Sequence, residues 1–279
     1  MKNENSPVIG AEGMIKVLVV GAGSYIGENF VKYTEKNFYS AEKIEAVDIV
    51  DSFTGWKQKK FEDYDSVIFV AGIAHRKQTL ENKNLYFQIN RDLAVQVAKK
   101  AKSAKVPQFV YLSSMAVYGL KQGEISCNTK PNPRHNDYYG TSKLEAEDAL
   151  IILADYNFKL AIIRPPMVYG ENCPGKFGQL VKIAKYFPIV PCNGNERSLI
   201  YIDNLSEFLC TAVTGRLHGV FHPQDSGYAS TAGLIKKIRR QDGKKTVIIG
   251  MKFLIFLCML IFPQVKTAFA SLYYSKEIV

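Results

Sequence analysis

The sequence predicts a doubly wound α/β fold: a parallel sheet covered on both faces by helices, followed by a smaller C-terminal lobe. Three observations predict it. Short apolar runs rich in β-branched residues alternate with longer helix-forming stretches from Ile15 to Ile163. The first run ends at Gly21, and a glycine-containing turn leads from it into the next helix. After Pro165-Pro166 the alternation loosens, which marks the passage to the smaller lobe.

Ile15 to Val20 reads Ile-Lys-Val-Leu-Val-Val, the pattern of a strand buried on both faces. A helix is expected over Tyr25–Asn37, a second strand over Lys43–Ile49 and a third over Ser66–Val70. Only 16 residues (50–65) separate the last two, so that crossover holds at most a short helix. A long helix over Asn84–Ala104, a strand over Gln108–Ser113, a helix over Tyr138–Asp155 and a strand over Lys159–Ile163 follow. Beyond the prolines, helices are expected near Phe177–Phe187, Asn204–Thr214 and Thr231–Arg240, with strands near Leu199–Ile202 and Gly219–Phe221. Residues 1–13 are polar, lack the apolar core of a signal peptide and read as a mobile leader. The expected organisation is this leader, a first domain over 14–165 and a second lobe over 166–279, from which segments such as 198–222 return to the first domain.

Val247 to Phe262 is strongly apolar, is interrupted by Gly250 and Lys252, and ends at Pro263. Its 16 residues fall below the usual spanning length. The main expectation is a buried strand and helix of the second lobe. A helix lying on a membrane surface or a partner, giving weak membrane association through 247–262, is the alternative, and a true span the third.

Hydrophobic residues make up 47% of the 279 and charged residues 22%, which suits a globular protein with a sizeable core. The formal net charge is +10, with short basic groups at Lys57–Lys60, Lys236–Arg240 and Lys244-Lys245. Solvated helix faces, anionic substrates such as nucleotides, or an acidic membrane surface account for such charge. No nucleic-acid partner is expected. Five cysteines, Cys127, Cys173, Cys192, Cys210 and Cys258, form no C-x-x-C pair and are odd in number. They argue for a reduced, cytoplasmic protein without disulfides or structural zinc. His75, His135, His218 and His222 are too dispersed for a ligand set, so no metal is expected.

Gly21-Ala22-Gly23-Ser24-Tyr25-Ile26-Gly27 lies between the first strand and the first helix. In a Rossmann-type fold that turn receives a dinucleotide pyrophosphate against helix N-terminal amides. Gly21 suits the tight turn, Gly23 the approach of phosphate and Gly27 the packing of helix on strand. Asp48, 27 residues after Gly21, stands where an acid suits ribose hydroxyls and favours NAD; Asp51 competes for that role. Tyr139 and Lys143 are four apart, on one face of a helix. Ser114, 25 residues before Tyr139, sits at a strand end from which its hydroxyl can reach the same point.

Ser113-Ser114-Met115-Ala116-Val117-Tyr118-Gly119 and Tyr138-Tyr139-Gly140-Thr141-Ser142-Lys143 carry a resemblance. At these residues the chain resembles the extended short-chain dehydrogenase/reductase family, in its nucleotide-sugar epimerase and dehydratase branch. The resemblance implies a catalytic trio of Ser114, Tyr139 and Lys143, with Tyr139 and Lys143 also against the cofactor. It implies cofactor contacts at Gly21, Gly23, Ser24, Tyr25, Ile26, Gly27, Ala71, Gly72, Asn90 and Pro165, with Asp48 on ribose. It implies substrate contacts at Ser114, Met115 and Arg197, the arginine pairing with the nucleotide diphosphate. Ser24 stands where the family's loop has its middle glycine. The cofactor implied is NAD, with NADP also admitted; the partners are a nucleotide sugar and, at most, a second copy of the chain. Members of this branch run a few dozen residues further, so the second lobe is expected to be short here.

A phenol has a pKa near 10, and lowering it to ~7 requires about 4 kcal/mol. One cation ~4 Å away supplies roughly that at an effective dielectric of 20. Lys143, helped by an oxidised nicotinamide, is therefore expected to poise Tyr139 as acid and base. The resemblance points to a UDP-hexose 4-epimerase in cell-surface polysaccharide metabolism of bacterial type. Its rival is a 4-ketoreductase of a UDP- or dTDP-4-keto-6-deoxy sugar. A 4,6-dehydratase would carry Asp-Glu after the serine, where this chain has Met115-Ala116. A non-catalytic NAD(P)-binding regulator or scaffold is the alternative of another class; retention of Tyr139 and Lys143 argues against it.

Overall fold

A computed structural model describes residues 14–37, 43–74 and 76–278. The leader expected at 1–13 and the side chain of His75 lie outside the described residues. In chain order the elements begin β1 (Ile15–Val20), α1 (Tyr25–Lys36), β2 (Ile44–Val50), α2 (Gly55–Gln58), β3 (Ser66–Phe69), α3 (Lys83–Phe87), α4 (Leu93–Ser103) and β4 (Gln108–Leu112). They continue with β5 (Gly123–Ile125), α5 (Tyr138–Leu153), β6 (Lys159–Ile163), β7 (Met167–Tyr169), α6 (Gly175–Ala184), β8 (Ile189–Cys192) and β9 (Leu199–Tyr201). The last are α7 (Ile202–Thr214), β10 (Gly219–Phe221), α8 (Thr231–Gln241), β11 (Val247–Gly250), α9 (Lys252–Ile261), α10 (Pro263–Phe269) and β12 (Leu272–Tyr274).

Among the described residues, six strands form one parallel sheet in the order β10-β6-β4-β3-β1-β2. Both faces are covered, and the period of two along each strand divides the core accordingly. Leu18, Val20, Val67, Phe69, Phe109, Tyr111, Leu160 and Ile162 pack with Ala94, Val97, Ala98 and Ala101 of α4. Val17, Val19, Ile68, Val110, Leu112, Ala161 and Ile163 pack on the other side with Phe30 of α1 and Leu205 and Leu209 of α7. Each Val, Leu, Ile or Phe among them contributes about 1.5–3 kcal/mol by leaving water. The 50–65 crossover holds only the single turn α2.

The chain runs outward from β1 to β2, then returns to the opposite side of β1 as β3. This reversal makes the carboxyl ends of β1 and β3 a topological switch point, where α/β sheets bind ligands. The strand β10 extends the same sheet beyond β6.

Among the described residues, three smaller parallel pairs lie outside it: β7 with β9, β5 with β12, and β8 with β11. The helix expected over Asn84–Ala104 is broken by a π-helical turn over Gln88–Asp92. The apolar run 247–262 does form a strand and a helix, but it is exposed rather than buried: Ile255 is the one core-facing side chain of α9. No described helix is long and apolar enough to cross a membrane.

Candidate active site

The glycine turn is fixed by the sheet. The Gly21 and Ala22 amides both donate to the Val50 carbonyl at 2.9 Å, tying the end of β1 to the end of β2. Gly21 has φ +136°, and a Cβ there would stand 2.8 Å from the Ala71 nitrogen, so only glycine fits. Ser24 caps α1: its Oγ accepts the Gly27 amide at 3.1 Å. The serine thus takes over the start of the helix where the family's loop has glycine. The Tyr25 hydroxyl donates to the Glu171 carbonyl at 3.0 Å, while Ile26 packs into the core beneath. Gly23 has φ +78° and open space where a Cβ would stand, while its amide donates to Glu28 Oε1 at 2.9 Å; an open turn at a helix N-terminus suits a pyrophosphate, and the residues present fit a dinucleotide.

On the other side of the switch point, Ala71 and Gly72 follow β3. Asn90, in the π-helical turn, is fully buried and braces this loop. Its Oδ1 accepts the Ile73 amide at 2.8 Å, and its Nδ2 donates to Ser142 Oγ at 3.0 Å. The extra residue of a π-turn aims Asn90 out of the regular helical register, a device common at functional sites. A Cβ at Gly72 would lie 3.0 Å from Asn90 Oδ1 and 3.4 Å from Lys143 Nζ, so these groups share one small space.

Ser114 lies two residues beyond β4 and caps a 3₁₀ turn over Met115–Tyr118, its Oγ accepting the Ala116 amide at 3.1 Å. The Met115 amide donates to the Pro165 carbonyl at 3.0 Å, bringing the predicted residues Ser114, Met115 and Pro165 to one place. Helix α5 begins at Tyr138 behind an N-cap, Asp137, whose Oδ1 accepts the Gly140 amide at 3.0 Å. A Cβ on Gly140 would stand 2.8 Å from the Ala116 carbonyl oxygen. That glycine lets α5 press against the 3₁₀ turn and sets Tyr139 beside Ser114.

The electrostatics differ from the expectation. Burial, the largest cause, pushes the Tyr139 phenol above its ordinary pKa, and the Ser114 hydrogen bond pulls it back. Lys143 is not among the groups that move it. The lysine is buried, donates to the Leu112 carbonyl at 2.6 Å and lies over the Tyr111 ring at 4.7 Å. Its pKa falls to about 7 through burial, with Glu147 opposing. A half-neutral ammonium directed at a carbonyl does little to acidify the phenol, so with protein groups alone Tyr139 stays protonated at neutral pH.

Two predicted residues are engaged elsewhere. Asp48 lies two residues inside β2; its carboxylate is 2.7 Å from Lys59 Nζ and accepts the Tyr64 hydroxyl. These partners hold it below the usual carboxylate range. Asp51 sits at the strand tip, where it accepts the Phe53, Thr54 and Gly55 amides. Arg197 Nη1 donates to the Thr267 and Ala270 carbonyls, each at 3.0 Å, at the end of α10. Its charge still reaches Lys176, which with Lys121 and Asp137 forms a mainly cationic group beside α5.

Sequence reasoning missed a buried network behind the trio. Glu147 receives Ser113 and a bidentate Arg164, whose Nη1 donates to the Tyr118 hydroxyl at 2.8 Å. Tyr118 also meets His222 at 2.7 Å. Glu147 follows Lys143 by four residues on the face that carries Tyr139, a spacing that signalled it.

With this geometry in view, the comparisons are specific. The family model described as the NAD dependent epimerase/dehydratase family matches residues 17–219. The chain is 29% identical to a UDP-glucose 4-epimerase of Vibrio cholerae over 80% of its own length and 74% of that protein. It is 27% identical to an N-acetyl-alpha-D-glucosaminyl-diphospho-ditrans,octacis-undecaprenol 4-epimerase of Escherichia coli O157:H7, over 74% of its length and 62% of that protein. Its fold superposes with a TM-score of 0.66 on the UDP-glucuronic acid 4-epimerase of Bacillus cereus, at 20% identity, covering 85% of this chain and 88% of that one.

Proposed function

Because the chain belongs to the NAD dependent epimerase/dehydratase family, we propose that it is a UDP-hexose 4-epimerase that holds NAD in the Gly21–Gly27 turn, in nucleotide-sugar metabolism serving cell-surface polysaccharides. The observation that carries this reading is the meeting of Ser114, Tyr139 and Lys143 at the switch point that the glycine turn borders. The likeness to the Vibrio cholerae enzyme supports both the UDP-hexose and position 4. Asp51 puts negative charge at the tip of β2, beside the residue that anchors the turn; this disfavours a ribose 2′-phosphate and supports NAD over NADP.

A dinucleotide held in the Gly21–Gly27 turn would supply the hydride acceptor and donor. Ser114 holds the C4 oxygen by a hydrogen bond. Tyr139, as phenolate, takes the C4 hydroxyl proton as the carbon loses hydride, leaving a 4-ketone; the phenol gives the proton back when the other face is reduced. Burial holds the Tyr139 phenol up and Ser114 pulls it down; the positive charge of an oxidised dinucleotide would act in the same direction as Ser114. Lys143, fixed by the Leu112 carbonyl, stands ready for the ribose hydroxyls next to Gly72. Lys176, beside an Arg197 that the Thr267 and Ala270 carbonyls hold through Nη1, is the cation that would receive the diphosphate.

The rival, a 4-ketoreductase, uses the same three side chains but exchanges its cofactor at each turnover. Purification of the full chain and analysis of the dinucleotide released on denaturation separates them. NAD that survives gel filtration supports the epimerase. A chain that carries none and consumes NADPH with a 4-keto sugar nucleotide overturns it in favour of the reductase.

A further inference from the structure

The exposed apolar surface and the net charge of this chain coincide in one place. On α9, Phe253, Phe256, Leu257 and Leu260 follow one another at helical spacing, and all are exposed, Phe253 to 74% and Leu260 to 69%. An ordinary surface helix turns such a stripe inward. Here only Ile255 does so, and the stripe faces out. The patch continues onto the neighbouring strand and turn. The Val247 amide donates to the Pro188 carbonyl, which sets exposed Val247 and Ile248 beside exposed Phe187 and Tyr186.

Basic side chains rim this patch. Residues 173–195 and 231–268 hold 11 of the 36 lysines and arginines and one of the 26 acidic residues; the remaining 25 basic and 25 acidic residues cancel. The whole net charge of +10 therefore sits in α6, β8 and the α8-to-α10 stretch. Buried Arg239 gathers the rim: it donates to the carbonyls of Lys185 and Lys245, holding two separate basic segments together at the patch edge. Lys185, Arg240, Lys244, Lys245 and Lys252 are all exposed.

We propose that this face, the outward stripe of α9 with β11 and its lysine rim, docks the chain onto an anionic lipid surface. The chemistry fits no other occupant as well. A second copy would bring two faces of the same charge together. A protein interface core is depleted of charge, but not ringed by one sign alone. An apolar stripe flanked by lysines matches acyl chains below and phosphate headgroups above. The helix lies along the surface rather than across it, since ten residues extend about 15 Å and the hydrocarbon core is about 30 Å thick. The helix α6 links this face to the candidate cleft: Lys176 stands by Arg197 at its start, and Lys185 and Tyr186 follow its end.

The test is co-sedimentation of the full chain with vesicles of phosphatidylcholine alone and of phosphatidylcholine with phosphatidylglycerol, at low and high salt. Binding to the anionic vesicles is expected to exceed binding to the neutral ones by about tenfold and to fall with salt. Phe253→Ser with Leu257→Ser and Leu260→Ser is expected to abolish binding; Lys244→Glu with Lys245→Glu is expected to remove the preference for anionic lipid. Both variants touch solvent-facing positions and keep dinucleotide binding, which reports that they fold. Equal binding to both vesicle types, or none to either, overturns the proposal. So does a dimer that the serine variant dissolves while the parent ignores vesicles, which assigns the face to a second copy.

Discussion

The Lys143 ammonium donates to the Leu112 carbonyl at 2.6 Å, and this bond sets its role. It pins the lysine one helical turn from Tyr139, at the end of the strand that delivers Ser114. The lysine is thereby directed at a carbonyl rather than at the phenol, and the phenol is left to its hydrogen bond with Ser114.

Tyr139→Phe removes the proton carrier and leaves the glycine turn untouched. Turnover is expected to fall by about 10²–10⁴-fold, with dinucleotide affinity within about threefold of the parent, because a pyrophosphate held at a helix N-terminus does not depend on the phenol. Steady-state kinetics together with fluorescence titration of the dinucleotide measures both; turnover like the parent's removes Tyr139 from the mechanism.

Ser114→Ala loses the hydrogen bond that pulls the phenol down against burial. The rising, acid-side limb of the kcat profile, along which the phenol ionises to act as base, is expected to move to higher pH, since a phenol without that bond ionises later. A limb in the same place, in an otherwise slower variant, would mean that Ser114 positions the substrate only.

Lys143 falls to a pKa of about 7 in the folded chain, against 10.5 for a free lysine. Between those values the unfolded chain binds the proton and the folded chain does not, so this group makes stability rise with pH across that window. Below it both states are charged and the cost of burial is present in full. Lys143→Met is therefore expected to gain more stability over the parent at pH 6 than at pH 10, by an amount on the order of 1 kcal/mol or more. Urea denaturation at the two values measures it; a difference that does not change with pH contradicts a depressed Lys143.

Arg164→Met leaves the Glu147 carboxylate buried beside Ser113 without its bidentate partner. Breaking a buried pair from one side costs about 3–5 kcal/mol. Chemical denaturation should register that loss, and Glu147→Gln combined with Arg164→Met should recover part of it by removing the stranded charge.

The placement of Ser114, Tyr139 and Lys143 is legible where its geometry is local. Tyr139 and Lys143 share a helix face by spacing, and Ser114 closes a strand with an obvious apolar run. The surroundings of Asp48 depend on a long-range property. Its strand runs on to Val50, which pairs with Val20, so the tip carries Asp51 and Asp48 is left to meet Lys59 and Tyr64. Arg197 was read from its own segment, yet its guanidinium holds carbonyls 70 and 73 residues away. The short strands β5 and β12, or β8 and β11, likewise have no meaning until distant partners meet. The apolar run 247–262 was legible as strand and helix. Which way it faced was not, because burial depends on neighbours that the run does not contain.

Incubation of the purified chain with UDP-glucose, followed by proton magnetic resonance of the sugar, tests the central claim most directly. The account predicts inversion at C4, giving the galactose epimer without net formation of reduced dinucleotide, and its loss in Tyr139→Phe. Absence of inversion with UDP-glucose and other UDP-hexoses, in a folded chain that retains bound NAD, would contradict it.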